Sequence, residues 1–84
     1  MPPTALFTIR FHSGAQIPVF NVADAAQALA DWRWSGKGGA VHSEAVRLVD
    51  EALAGYCKVQ VALAAVRKAA DDAGILEKPN IAKM

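Results

Sequence analysis

The chain has 84 residues, which is the size of one domain. Nine Lys and Arg against eight Asp and Glu leave a net charge of +1, which excludes both the concentrated basic face of a typical nucleic-acid binder and an acidic disordered tail. One cysteine, Cys57, excludes an intrachain disulfide and a cysteine-rich zinc site.

A domain this short buries a smaller share of its surface than a large one and is marginal alone. Hydrophobic residues make up 54% of the chain, but much of that share is alanine, which fills little core volume. A partner chain would add to such a core. Met1-Pro2-Pro3-Thr4 lacks the basic start and apolar run of a signal peptide. The uncharged run Val59 to Val66 falls far short of the roughly 20 residues that span a membrane. A lone thiol fits a reducing compartment, so a cytoplasmic location and no membrane association are expected.

In chain order, residues 5–11 read as a strand. Phe7, Ile9 and Phe11 point one way, Thr8 and Arg10 the other, at the strand period of two. His12-Ser13-Gly14-Ala15 is a turn, with Gly14 free to take positive φ. Ile17 to Phe20 make a second strand, and Pro18 places it on an edge because it has no N–H to donate. A two-stranded hairpin is not stable by itself, so it must lie on helices or pair with another chain.

Asn21 caps a first helix from Val22 to Trp32, with Val22, Ala25, Ala26, Leu29 and Trp32 on one face. Ser35-Gly36-Lys37-Gly38-Gly39 breaks it. Ser43 is the expected cap of a second helix ending at Gly55, with Ala45, Leu48, Val49, Ala52 and Leu53 as its apolar stripe; an earlier first turn would begin near Ala40. A third helix runs from Lys58 to Ala73, with Val59, Ala62, Leu63, Val66, Ala70 and Ala73 inward. Gly55 and Gly74 suit the position just past a helix end, and Ile75 can fold back over the last turn. Leu76 to Met84 contains Pro79 and no periodicity and reads as a flexible tail. The expected architecture is α+β: an N-terminal two-stranded antiparallel hairpin on three helices (ββααα), residues 5–75 as one compact domain and 76–84 as the tail. The expected core is Phe7, Ile9, Phe11, Leu29, Trp32, Leu48, Val49, Leu53, Val59, Leu63 and Val66.

Ala25, Leu29 and Trp32, the glycine loop, Ala45, Ala52-Leu53-x-Gly55, and Ala69-Ala70-x-x-Ala73-Gly74-Ile75 follow one another in a definite order. This order resembles a small alphaproteobacterial family known as domain of unknown function 982, over about residues 5–75. The chain departs from that family's pattern at Arg33, Val49, Leu63 and Val66, where the family often carries Pro, Cys, Arg and Phe. The resemblance implies the fold and brings no activity.

Several residues carry chemistry in principle. Backbone N–H groups of a glycine loop before a helix, with Lys37, can hold an anion. A nucleotide loop, however, needs a preceding strand and Ser or Thr after the lysine, and here a helix precedes and Gly38 follows. Trp32 falls on the apolar face. Trp34 lies beyond the helix, where it could cover the hairpin or stand exposed as a partner anchor beside Arg33. Arg33, Trp34, Lys37, Gly38 and Gly39 are therefore the candidate partner or anion contacts. His12 and His42 have no second histidine at ligand spacing and read as solvated surface residues. Cys57 has no base near it in sequence and reads as inert. No catalytic residue, metal site or cofactor is expected.

The leading reading is a non-enzymatic, self-associating protein-interaction module, expected as a homodimer or with an unknown protein partner. A nucleic-acid-associated regulatory protein is the less favoured alternative, and a ligand or anion binder at the glycine loop the third. The expected interface is the outer edge of the first strand, because Pro18 blunts the second strand and the first has no proline. The reading of the glycine loop has a direct thermal-shift test with divalent metals, ATP and NAD. A ligand at 100 times its Kd would add about 2.7 kcal/mol of stability. No saturable shift is expected, and one that disappears in Lys37→Ala would place a site on the loop.

Overall fold

A computed structural model describes residues 5–31, 33–34 and 39–77. The elements are β1 (Phe7–Arg10), β2 (Gln16–Val19), α1 (Val22–Ala30), α2 (Ala40–Leu53), α3 (Val59–Asp72) and β3 (Leu76–Glu77). The sheet has strand order β2-β1-β3 and both pairings are antiparallel. The α+β class is as expected. The layout differs from ββααα, because the chain returns after α3 to add β3.

Local chemistry accounts for the boundaries. The hairpin turns at Gly14, whose φ of 98° is open to glycine at little cost. The Phe11 N–H donates to the Ala15 carbonyl and the Gly14 N–H to the Phe11 carbonyl, which closes the loop. Asn21 caps α1 as expected, its Oδ1 accepting the Asp24 N–H at 2.9 Å. Ser43 is not the cap of α2. The helix starts at Ala40 with Gly39 as its cap, and the Ser43 N–H donates to the Gly39 carbonyl inside the first turn.

Helices α2 and α3 end in the same way. In α2 the Gly55 N–H donates to the Ala52 carbonyl and the Tyr56 N–H to the Glu51 carbonyl. In α3 the Gly74 N–H donates to the Asp71 carbonyl and the Ile75 N–H to the Ala70 carbonyl. Both are Schellman closures, with the glycine at positive φ, 89° and 75°.

The core lies between one face of the sheet and the three helices. Ile9, Phe11 and Val19 come from the sheet and its turn, Val22, Ala25, Ala28 and Leu29 from α1, Ala45 and Val49 from α2, and Ala62, Val66, Ala69 and Ala70 from α3. Trp34 and Ile75 complete it. Phe7, Leu48 and Leu63 are half-buried at its margin. Leu53 and Val59, both expected in the core, are 57% and 49% exposed. Each lies on the extension of an apolar stripe, but at the end of its helix, where no neighbour reaches. Trp32 lies outside the described residues.

β3 overturns the expected open edge on β1. Thr8 pairs with Glu77 and Ile9 with Leu76, and the Arg10 N–H donates to the Ile75 carbonyl at 2.7 Å. β1 is therefore the central strand, and Leu76 and Glu77, expected as the first residues of a flexible tail, are paired in β3; the rest of that expected tail lies outside the described residues. The β2 edge is blunted twice. The Phe11 N–H faces β2 and the Arg10 N–H faces β3, so by alternation Gln16 and Pro18 point their outer groups away from the sheet. Pro18 has no donor, and the next outward N–H, on Phe20, is taken by Asp24 Oδ2 at 3.0 Å. Among the described residues no helix is long and apolar enough to cross a membrane.

Ile75 is buried as completely as the central-strand residue Ile9. Ile75→Ala and Ile9→Ala should each cost about 2–5 kcal/mol, while Leu53→Ala should stay near the surface norm of about 0.5 kcal/mol. Urea unfolding checks this, and an Ile75→Ala chain as stable as the parent would undo the placement of β3.

Candidate functional site

Asp31, Arg33 and Trp34, just after α1, form a structural joint. Asp31 caps α1, and its Oδ1 accepts from the Arg33 backbone N–H at 2.8 Å and from Arg33 Nε at 3.0 Å. Arg33 Nη2 donates to Asp31 Oδ2 at 2.9 Å. This two-point hydrogen bonding raises the Arg33 pKa above its ordinary value. The guanidinium carbon also sits 4.8 Å from the centre of the Phe11 ring, a cation–π contact. Arg33 thus joins the loop to the hairpin.

Trp34 is only 3% exposed, which removes its indole from any partner surface. Its ring meets His42 edge-on, with centroids 5.5 Å apart and planes at 62°. His42, expected as a solvated residue, is 8% exposed. The sequence placed it just before a helix, but the earlier start of α2 puts it in the first turn, facing α1. His42 Nε2 lies 2.9 Å from the Leu29 carbonyl oxygen. A carbonyl can only accept, so Nε2 carries the proton. The imidazole thereby satisfies one of the carbonyls left open at the end of α1. Gly39 caps α2 without a side chain, and Lys37 and Gly38 lie outside the described residues. Of the five expected contact residues, the structure commits Arg33 and Trp34 to the joint. His12 is exposed. Cys57 is half-buried, its Sγ donating to the Lys58 carbonyl at 3.5 Å. Among the described residues no group of three His, Cys, Asp or Glu could hold a metal ion.

The surface offers three other features. The first is the α2–α3 turn, where Leu53, Tyr56 and Val59 stand in solvent and Tyr56 is 85% exposed. A Schellman closure ordinarily packs the residue after its glycine against the last turn of the helix. Ile75 does this and Tyr56 does not. The sequence reading passed over Tyr56. Its position after Gly55 signals a buried contact, so pattern alone points the wrong way. The second feature is an apolar cleft of about 380 Å³ between α1 and α2, lined by Ala26, Leu29, Val46 and Val49 together with buried His42 and exposed Asp50. A wider groove between α3 and the sheet carries Arg67 and Lys68 against Asp71 and Glu77, a charge balance that selects neither ion.

The match to known families falls on this same frame. Residues 8–77, from the middle of β1 to the end of β3, match the family model described as a protein of unknown function (DUF982). The chain belongs to the DUF982 family. The match takes in β3, which lies beyond the domain boundary expected at residue 75. No curated protein and no solved structure matches the chain.

The joint sets a measurable expectation within this DUF982 fold. His42→Ala leaves the Leu29 carbonyl without its donor and removes the ring against Trp34, and should cost about 1–3 kcal/mol. Chemical denaturation checks it, with the change in Trp fluorescence reporting on Trp34; an unchanged midpoint would mean that the contact carries no weight.

Proposed function

We propose that this chain is a non-enzymatic protein-binding module that presents its α2–α3 turn to another polypeptide. The observation that carries this is the exposure of Leu53, Tyr56 and Val59 together around one tight turn. Scattered exposed apolar residues are ordinary, whereas large ones grouped at one place mark an interaction surface. Tyr is also enriched among residues that dominate binding energy.

Magnitudes bound the reading. Burying a large apolar side chain is worth about 1.5–3 kcal/mol, so three give roughly 4.5–9 kcal/mol. Association itself costs an estimated 4–15 kcal/mol or more. The turn alone therefore makes a weak contact, and a stable one needs a shaped receptor around it. The alternative, nucleic-acid binding, draws less support. Arg33 is held by Asp31, and Arg47 is held by Glu44 at 2.7 Å and by Glu51 at 2.9 Å. The hydrogen bond from Arg47 holds the Glu44 carboxyl below its ordinary pKa. Arg10, Lys58, Arg67 and Lys68 are spread over three parts of the fold. A regulatory role, a homodimeric state and a cytoplasmic setting all remain compatible with a binding module.

The test is site-specific photocrosslinking in the native cell, with a photoreactive aromatic residue at position 56. A discrete crosslinked protein is expected. It should disappear when Leu53→Asp is added, and the same probe at exposed Gln60 should not yield it. Equal yields from positions 56 and 60 would overturn the reading.

A further inference from the structure

We propose that the seven residues after Glu77, Lys78–Met84, pack back as a strap along the groove between α3 and the sheet, with Ile81 as the anchor. The groove encloses about 870 Å³ between Leu6 and Phe7 at the entry to β1, the α3 wall at Ala64, Arg67 and Asp71, and Glu77 at the end of β3. Glu77 is both part of the lining and the last described residue, so the chain leaves the described fold from within the groove. Register gives the direction it takes. β3 runs antiparallel to β1, with Ile9 opposite Leu76 and Thr8 opposite Glu77, so each further residue advances toward Phe7 and then Leu6. The ladder stops there. Continued pairing sets Pro79 opposite Leu6, and Pro79 has no N–H to donate. The Leu6 N–H donates instead to the Val19 carbonyl of β2 at 2.8 Å. The segment is thus released from the sheet beside the groove, with α3 as the facing wall.

The chemistry of the two sides matches. Leu6 is 55% exposed, Ala64 is exposed, and Phe7 and Leu76 are half-buried, which leaves an apolar floor in water. Ile81 and Met84 are the large apolar residues of the segment, and an unbranched Met adapts to an irregular surface. The small Ala64 gives depth for a branched side chain. The segment carries Lys78 and Lys83 and no carboxylate, and the groove carries Asp71 and Glu77. Arg67 and Lys68 are exposed, and such long side chains lend apolar stems to a surface while their charged heads stay in water. Length fits as well. Seven residues reach at most about 25 Å, whereas α3 rises about 10 Å from Ala64 to Asp71. Attachment at Glu77 makes docking intramolecular, with an effective concentration on the order of millimolar for a short linker. Weak apolar contacts therefore hold the chain's own segment where they would not hold a free peptide.

Solution NMR of the full chain tests the strap. Backbone order parameters of residues 80–84 should approach the rigid value of about 0.85, and should fall below about 0.6 in Leu6→Asp and in Ile81→Asp. Leu6 is exposed in the described fold and Ile81 lies outside it, so both variants should keep the parent circular dichroism. Methyl contacts between Ile81 and Ala64 should be seen in the parent and lost in Leu6→Asp. Order parameters below about 0.6 in the parent, or a segment equally rigid in both variants, would overturn the strap. A rigid segment without the Ile81–Ala64 contact would overturn the groove as its seat. In a mixture of differently labelled copies, contacts that arise only between copies would overturn the chain's own segment as occupant. The α2–α3 turn plays no part in any of these outcomes, so the binding role proposed for it stands or falls on its own test.

Discussion

The fold depends on the reversal at Gly74. A hairpin of two short strands has too little buried surface to persist alone. At Gly74 the backbone enters the left-handed region, with φ of 75°, and the chain turns back from α3 toward the sheet. Ile75 drops into the core and its carbonyl accepts the Arg10 N–H. This one contact ties the C-terminal end of the helical layer to the N-terminal strand. It makes β1 central, adds the third strand, and closes the edge that would otherwise be open to another chain.

The same backbone motif ends α2 with the opposite outcome. Gly55 and Gly74 both adopt positive φ, and both helices close with the same pair of hydrogen bonds. After Gly74 the chain joins the sheet alongside β1, and the next apolar side chain, Ile75, meets the core. After Gly55 the chain turns directly into α3, and Tyr56 is left in water. The local motif sets the path of the backbone. What lies along that path decides whether the following side chain is packed or presented.

Residues with the richest chemistry serve the architecture. The Arg33 guanidinium, the Trp34 indole and the His42 imidazole connect the end of α1, the loop after it, the hairpin and α2. In a domain built largely on alanine, these side chains supply contact area and directed hydrogen bonds that small aliphatic groups cannot. Among the large apolar residues that the core does not reach, Leu53, Tyr56 and Val59 stand at the α2–α3 turn.

The sequence by itself determined whatever depends on neighbours along the chain. The period-two alternation of Phe7, Ile9 and Phe11, the Asn21 cap and the two helix-ending glycines are short-range features. Together with the ordered alanine motifs they made the α+β class, the three helices and the DUF982 resemblance legible. Only the tertiary structure decided the rest. Leu76 and Glu77 form a strand because β1 lies within reach, and two residues without periodicity announce nothing in sequence. His42 and Trp34 are buried because α1 and α2 meet across them, while Leu53 and Val59 are exposed because their apolar faces outrun their neighbours. Periodicity identifies which face of a helix is apolar. How far along that face a partner element extends is set by packing between segments distant in the chain, and that decides which apolar residues become core and which remain as surface.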